Sequence, residues 1–309
     1  MWKRGKLCGK QTGNVETGNV CCSGVDKYRI SAMINEDKER VRGDREMKRA
    51  ILFFDIDGTL LSDETGKIPD STLQALTEAK KNGHLLFINT GRTICALPKE
   101  LYRFDFDGYL CGCGSYLLFH DEVLLERHIE ESLGRKYIEQ MWECNLDGVL
   151  EGTEDLYFPQ AVSRFEQLEQ GRIYFGELGL GKKKYIEEGG FIYDKIFVYA
   201  DEQSDKERFF ELMEDHFAVI DRGGNTYELA QKSFSKATAC EYMVQKFGAD
   251  KEDVYVFGDS MNDLSMFEYA VHTVAMGKHA PGLAPYTEFV TKTVEEGGIA
   301  WAMKHYGLI

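Results

Sequence analysis

Short, continuous apolar runs recur along the chain, and polar residues stop each of them. Residues 51–54 read Ile-Leu-Phe-Phe, residues 85–88 read Leu-Leu-Phe-Ile, and residues 254–257 read Val-Tyr-Val-Phe. A run of this length without polar alternation is typical of a strand that is buried on both faces of a parallel sheet. All three predicted strands carry their unusual polar residues at the carboxyl end.

Helical patterns fill part of the sequence between these strands. Residues 70–72, Asp-Ser-Thr, can cap a helix that Gly83 ends before the second strand. Residues 236–247 predict another helix, which leads into the strand at 254–257. The alternation of helices with buried strands predicts an α/β protein with a doubly wound, parallel-sheet (Rossmann-like) core.

More than 150 residues separate the second predicted strand from the third, which is far too many for a single crossover connection. We therefore predict an inserted α+β cap domain over 122–230, between a first core segment, 47–121, and a second, 231–309. Inside the insertion the patterns predict helices over 131–145 and 201–216, strands over 194–200, 218–220 and 226–229, and a glycine-rich loop over 171–190.

The first 46 residues differ from the rest in composition. They hold ten Lys/Arg and seven Asp/Glu, a net charge of +3, whereas the whole chain carries −15. They show no sustained strand or helix period, so we predict an N-terminal extension that is mobile or not native. Met47 stands directly before the first predicted strand and is the alternative start of the protein.

Composition excludes several classes of function. The acidic balance, 37 Lys/Arg against 52 Asp/Glu, disfavours nucleic acid and anionic lipid as extended partners. No apolar run approaches the ~18–20 residues of a membrane span. The chain begins without the apolar stretch of a signal peptide, and its eight cysteines include no Cys-x-x-Cys pair, so we expect a cytoplasmic protein without a structural zinc site.

Two carboxylates, Asp55 and Asp57, directly follow the first strand, with Gly58 and Thr59 after them. One carboxylate can attack phosphorus to form an acyl phosphate. The other can protonate the leaving oxygen and later accept a proton from water. An Asp-x-Asp pair alone is also typical of a turn or helix cap, so the interpretation depends on the rest of the sequence.

A second acidic turn, Gly-Asp-Ser-Met-Asn-Asp at 258–263, follows the strand at 254–257. Its oxygen-bearing side chains Asp259, Asn262 and Asp263 suit a hard divalent ion such as Mg²⁺. Such an ion reduces the repulsion between a phosphate and the carboxylate that attacks it. We therefore predict a Mg²⁺ site here.

A hydroxyl, a free amide and two cations complete the candidate site. Thr90 and Gly91 can bind a phosphoryl oxygen, Arg92 can hold substrate or orient an acid, and Lys236 can offset negative charge in the transition state. Ligands of open α/β sheets bind at the carboxyl ends of the strands. We therefore expect four residues to meet in space: Asp55, Asp57, Thr90 and Asp259.

Four segments, in order, resemble the motifs of the haloacid dehalogenase (HAD) superfamily: Asp-Ile-Asp-Gly-Thr at 55–59, Asn-Thr-Gly-Arg at 89–92, Phe-Ser-Lys-Ala-Thr-Ala at 234–239 and the turn at 258–263. The stretches 274–281 and 295–303 are similar to the endings of its Cof-type branch, whose large cap lies between the second and third motifs. The resemblance covers residues 47–309 and implies a HAD-like core.

The resemblance implies a Mg²⁺-dependent phosphatase that hydrolyses a small phosphomonoester, such as a sugar phosphate, through an aspartyl-phosphate. Asp55 would be the nucleophile and Asp57 the acid/base. The metal would be held by the Asp55 side chain, the Asp57 carbonyl and Asp259, with Asn262 and Asp263 near it. The phosphoryl group would be bound by Thr90 and Lys236.

Two positions depart from the branch. Cys113 stands where an amide side chain is usual, and Lys278 stands where the branch has asparagine; both are expected near the cleft mouth, where they would affect substrate preference. Two other functions stay open at this point. One is phosphosugar mutase-type phosphoryl transfer, and the other is non-catalytic binding of a phosphometabolite.

Overall fold

A computed structural model describes residues 49–309, which form two β-sheets with helices packed against them. The predicted N-terminal extension, 1–46, lies outside the described residues. The described strands are β1 (Ile51–Phe54), β2 (Leu85–Asn89), β3 (Gly108–Cys111), β4 (Tyr116–Phe119), β5 (Glu122–Glu126), β6 (Asp147–Glu151), β7 (Leu156–Tyr157), β8 (Lys195–Tyr199), β9 (Phe217–Gly223), β10 (Thr226–Gln231), β11 (Val254–Gly258), β12 (His272–Ala275) and β13 (Phe289–Val290). The α-helices of the same residues are α1 (Asp70–Lys81), α2 (Glu131–Glu143), α3 (Glu166–Glu177), α4 (Lys206–Met213), α5 (Lys236–Phe247), α6 (Leu264–Tyr269) and α7 (Gly298–His305).

The larger sheet has eight strands in the order β13-β12-β11-β1-β2-β3-β4-β5. The strands from β13 to β3 are parallel, and β4 and β5 are antiparallel additions at one edge. The centre is β1, whose Ile51 lies opposite Val254 of β11 and Leu85 of β2. Every residue of β1 is buried, as the continuous apolar run predicted.

Helices cover both faces of this sheet. Leu52 and Phe54 belong to the core cluster formed with α1 and α7, whereas Ile51 and Phe53 belong to the cluster formed with α5 and α6. Successive side chains of a strand point to opposite faces, so the four residues of β1 fill both halves of the core. The predicted doubly wound α/β fold is confirmed.

The smaller sheet has five antiparallel strands in the order β7-β6-β8-β10-β9. All of them lie in the chain between β5 and β11. Helices α2 and α4 pack on one face, with Ile138 and Phe209 in the cluster that includes Ile196 of β8. The other face lies toward the larger sheet and carries Phe197.

The structure corrects the predicted edges of the insertion. Strand β5 (Glu122–Glu126) pairs with β4 in the larger sheet, and β10 extends to Gln231 in the smaller one. The larger sheet thus continues to residue 126 and the smaller one to residue 231, past the expected boundaries at 122 and 230. The physical reason is that β4 and β5 form a hairpin, and its residues, Tyr-Leu-Leu-Phe and Glu-Val-Leu-Leu-Glu, do not reveal which sheet it joins.

Three local predictions in or near helices are also wrong. Residues 171–190 were expected as a loop, but the first of them belong to α3. The buried positions of this helix are Leu168 and Gly176, and such sparse burial leaves no apolar period to detect. The helix expected over 201–216 is only α4, which Asp205 caps by accepting a hydrogen bond from the Arg208 N–H. Helix α1 starts at Asp70 itself, without a side-chain cap.

Among residues 49–309, no helix combines the length and the apolar character that crossing a bilayer requires.

Candidate active site

The polar residues that follow β1, β2 and β11 come together at one end of the larger sheet. They line a cavity of about 290 Å³ between this end and the smaller sheet. Seven of the nine predicted site residues line it: Asp55, Asp57, Thr90, Gly91, Arg92, Asp259 and Asn262. The meeting of Asp55, Asp57, Thr90 and Asp259 that the strand order predicted is therefore present. The remaining two, Lys236 and Asp263, are buried behind this surface.

Lys236 is the first residue of α5, and a capping box fixes its place. The Ser235 side chain accepts a hydrogen bond from the Thr238 N–H, and the Thr238 hydroxyl oxygen accepts one from the Ser235 N–H. This arrangement satisfies donors at the start of the helix. The Lys236 ammonium is buried, and it donates to Asp55 Oδ1 at 2.7 Å and to Asp263 Oδ1.

Asp263 organises the turn that carries Asp259. Its Oδ2 accepts hydrogen bonds from the backbone N–H groups of Asp259 and Ser260, both at 2.9 Å, while its Oδ1 receives Lys236. Both carboxylate oxygens are thus engaged within the protein. One oxygen each of Asp55, Asp259 and Asp263 lies within 4.8 Å of the others.

Negative charge in this cluster exceeds what one lysine balances. Burial raises the pKa of Asp55 to about 7 against the opposing effect of Lys236, and Asp263 adds to the increase. Burial, with the charges of Asp55 and Asp263, raises the pKa of Asp259 to about 8. Although burial lowers the pKa of Lys236, Asp263 and Asp55 hold it above its ordinary value. A cation beside the carboxylates would relieve this imbalance.

Asp57 makes a bidentate ion pair with Arg92. The Arg92 Nε donates to Asp57 Oδ2 at 2.7 Å, and the terminal NH2 donates to Oδ1 at 2.9 Å. Arg92 also donates to the carbonyl of Ala96 at 3.1 Å. Such fork geometry fixes the orientation of a carboxylate. Of the two roles expected for Arg92, the structure shows contact with an acid.

Gly58 allows the turn after Asp57 to approach Asp259 closely. Its φ is +75°, and a Cβ at this position would lie 2.5 Å from Asp259 Oδ2. The hydroxyl of the next residue, Thr59, donates to Asp259 Oδ1 at 3.3 Å. Glycine therefore meets both a backbone and a space requirement at this position.

The loop after β2 is anchored by its own backbone. The Thr90 N–H donates to the Leu110 carbonyl at 2.9 Å, and the Arg92 N–H donates to Thr90 Oγ1 at 3.1 Å. A hydroxyl that accepts from Arg92 keeps its own proton for donation to another group. Gly91 lies against the smaller sheet, because a Cβ there would be 2.9 Å from Glu228 Oε1.

The two departures from the family pattern lie in different surroundings. Cys113 is buried rather than at the mouth, and its thiol donates to Glu228 Oε1 at 3.2 Å; burial raises the pKa of this thiol. The expectation for Cys113 is wrong because the smaller sheet covers it. Lys278 is exposed, 3.9 Å from Asp63 Oδ2, in an adjoining cavity that Gly58 and Asp259 also line.

Several residues at the site have no role predicted from the sequence. Asn89, buried at the end of β2, donates to the carbonyl of Lys236 at 2.9 Å and so links β2 to the start of α5. The smaller sheet contributes the side chains of Glu151, Lys195, Arg222 and Glu228. The sequence feature that could have indicated Lys195 and Glu228 is a charged residue inside an apolar strand, as in Lys195-Ile-Phe-Val and Tyr-Glu228-Leu.

Comparisons with known proteins agree with this geometry. The sequence model of the haloacid dehalogenase-like hydrolase family matches residues 52–303. "Putative phosphatase YkrA" of Bacillus subtilis is 30% identical over 278 residues, which cover 85% of this chain and 100% of the relative. The 5-amino-6-(5-phospho-D-ribitylamino)uracil phosphatase YcsE of the same organism is 27% identical, over 84% of this chain and 96% of the relative.

A solved structure shows the same likeness in three dimensions. The HAD subclass IIB sugar phosphatase BT4131 superposes with a TM-score of 0.72 at 26% identity, covering 84% of this chain and 100% of its own. The resemblance read from the four motifs is thereby confirmed. The chain belongs to the haloacid dehalogenase-like hydrolase family and is a phosphatase of the HAD type.

Proposed function

We propose that the protein hydrolyses a small phosphomonoester in a Mg²⁺-dependent reaction through an aspartyl-phosphate on Asp55. The observation that carries this proposal is the pairing of two different carboxylates at one cavity. Asp55 is buried and bonded to Lys236, whereas the Asp57 side chain is 47% exposed and held by Arg92. A nucleophile and an acid/base require such different environments.

The steps follow from these contacts. Lys236 occupies Asp55 Oδ1, which leaves Oδ2 to attack phosphorus as the bond to the leaving oxygen breaks. Asp57, in its protonated form and with one oxygen released from Arg92, gives its proton to that oxygen. It then takes a proton from the water that attacks the aspartyl-phosphate, so that inorganic phosphate leaves and Asp55 is regenerated. Thr90 and Gly91 bind the phosphoryl oxygens with hydroxyl and amide donors.

The donor set suits Mg²⁺. Asp263 is buried and does not line the cavity, so the Asp55 and Asp259 carboxylates and the Asp57 carbonyl are the groups that would hold the ion, with Asn262 beside them. Carboxylate and carbonyl oxygens are the ligands that Mg²⁺ prefers. When bound, the ion supplies positive charge that offsets the repulsion between phosphate and the Asp55 carboxylate.

A polyhydroxylated phosphate ester is the substrate class to test first. Two of the relatives named above act on a sugar phosphate and on a ribityl phosphate, as their names state. The far wall of the cavity offers carboxylate, guanidinium and aromatic groups from Glu151, Arg222, Phe175 and Phe197. Carboxylates and guanidinium groups can hydrogen-bond hydroxyls, and this wall is compatible with a sugar or polyol.

A phosphate-release assay tests the proposal. It uses an aryl phosphate and a panel of sugar phosphates, each with Mg²⁺ and with EDTA. We expect turnover only with Mg²⁺, and none in Asp55→Asn. Asp63→Asn is the matched control, because Asp63 lines the same cavity with an exposed side chain. Wild-type turnover in Asp55→Asn would contradict the mechanism, and an isomerised sugar phosphate without free phosphate would indicate a mutase.

A further inference from the structure

Three charged side chains lie on adjacent strands of the smaller sheet, facing the larger one. They are Glu151 on β6, Lys195 on β8 and Glu228 on β10, and Glu151 lies directly opposite Lys195 in register. Lys195 and Glu228 are both buried, and their Nζ and Oε1 atoms are 2.7 Å apart. Glu151 Oε2 is 3.5 Å from the same ammonium. This alignment concentrates buried charge at one point of the interface between the sheets.

Lys195 and Glu228 both contact the larger sheet. The Lys195 ammonium donates to the carbonyl of Gly91 at 2.8 Å. Glu228 Oε1 accepts the thiol hydrogen of Cys113 at 3.2 Å. The Cys113 N–H in turn donates to the carbonyl of Thr90 at 3.1 Å. The loop of residues 90–92 is therefore bonded to the smaller sheet directly through Gly91 and indirectly through Cys113.

We propose that Lys195 and Glu228 are positioning residues for the loop of residues 90–92. They act through Gly91 and Cys113, and they hold the loop in the geometry that receives the phosphoryl group. This inference rests on the proposed function of Thr90 and Gly91 as the phosphate-binding groups. It makes the smaller sheet part of the phosphate site in addition to being its cover.

Packing explains why the loop depends on this support. Gly91 has no side chain to hold it, and the space that a Cβ would need is filled by Glu228 Oε1 at 2.9 Å and Cys113 Sγ at 3.5 Å. Without Lys195, the Gly91 carbonyl would lose its ammonium partner, and Glu228 would keep only the more distant charge of Arg222, 4.0 Å from its Oε2. Uncompensated buried charge favours local rearrangement. Displacement of a binding group by about 1 Å can lower a rate ~100-fold.

Steady-state kinetics test this role. The variants are Lys195→Met, Lys195→Arg and Glu228→Gln, and the two substrates, an aryl phosphate and a sugar phosphate, differ in their organic groups. Because the loop contacts the phosphoryl group common to both, we expect kcat/KM to fall about 10- to 100-fold by the same factor for each substrate. Lys195→Arg should recover part of the loss, since it keeps the charge and the donor. Lys206→Met is the control; its ammonium bonds the Tyr227 hydroxyl, and Tyr227 belongs to the core cluster on the other face of the smaller sheet.

A second readout separates this inference from the proposed function. Titration calorimetry with inorganic phosphate and Mg²⁺ measures the phosphate affinity of the loop without turnover. We expect Lys195→Met to bind phosphate about tenfold more weakly than wild type. Weaker phosphate binding by Lys195→Met would support the positioning role even if no substrate in the panel were hydrolysed. The lack of hydrolysis would then count against the proposed function alone. A loss of activity confined to the sugar phosphate would overturn the inference in favour of direct substrate contact. Unchanged phosphate binding and unchanged kinetics would overturn it as well.

Discussion

Arg92 binds both carboxylate oxygens of Asp57, with Nε 2.7 Å from Oδ2 and NH2 2.9 Å from Oδ1. The two residues follow different strands, β1 and β2, so the pair links two adjacent loops at the carboxyl end of the larger sheet. The Arg92 side chain is 21% exposed and is further held by the Ala96 carbonyl. A carboxylate held this way presents a fixed direction to the cavity, as an acid/base must.

Replacement of Arg92 by lysine tests this relationship. Lysine keeps the charge but loses the planar fork that binds two oxygens at once, so we expect Arg92→Lys to lower kcat about tenfold or more with little change in thermal stability. Steady-state phosphate release measures it. Arg103→Lys is the control, because Arg103 pairs with Glu100 and Asp70, and none of these residues lines the cavity. Wild-type kcat in Arg92→Lys would show that Asp57 needs no bidentate partner.

Gly58 and Gly66 form a matched pair for testing close approach. Both have positive φ, +75° and +64°, but a Cβ on Gly58 would meet Asp259 Oδ2 at 2.5 Å, whereas a Cβ on Gly66 would meet nothing within 4 Å. We expect either change to alanine to cost about 1 kcal/mol of unfolding free energy through backbone strain. Only Gly58→Ala should also lose activity, because it displaces Asp259. Equal activity in the two variants would refute the importance of the contact.

The carboxylate cluster predicts a response to metal that is independent of turnover. Asp55, Asp259 and Asp263 lie close together, and the Lys236 ammonium pairs with Asp55 and Asp263 but not with Asp259. Asp259→Asn should therefore raise the Tm of the metal-free protein by removing repulsion. Saturating Mg²⁺ should raise the wild-type Tm by about 5 °C or more and leave Asp259→Asn unaffected. Scanning calorimetry with and without EDTA measures both effects. Asp63→Asn should retain the wild-type response, and a Mg²⁺ shift in Asp259→Asn as large as that of wild type would exclude Asp259 as a ligand.

The core and its catalytic edge were predictable because both depend on local pattern. A four-residue apolar run such as Ile51–Phe54 identifies a buried parallel strand, and parallel strands bring Asp55, Thr90 and Asp259 to one edge without further information. Lys236 could be included because it stands at the beginning of a predicted helix and belongs to the third motif. These are properties of single elements and of their order along the chain.

The missed residues depend on how the two sheets pack. Nothing local indicates that Lys195 reaches the Gly91 carbonyl, 104 positions away in the chain, or that Glu228 covers Cys113. A strand with a charged residue among apolar ones reads equally well as a solvated edge. Helix α3 escaped for the opposite reason, since it buries few residues and so carries no apolar stripe.

Asp194 provides a pH-dependent test of the smaller sheet. It is buried before β8, and its Oδ1 lies 2.6 Å from His128 Nδ1. Burial raises the pKa of Asp194 to about 6 against the opposing hydrogen bond from His128. Between pH 3.8 and about pH 6 the folded state therefore binds more protons than the unfolded state, and the contribution of Asp194 to stability increases as the pH falls.

Urea unfolding at pH 7.5 and pH 5.0 should show wild type gaining about 1–2 kcal/mol relative to Asp194→Asn on acidification. Asp121→Asn, at an exposed turn, should show no such gain, and a constant difference between wild type and Asp194→Asn would show that Asp194 stays ionised throughout this range.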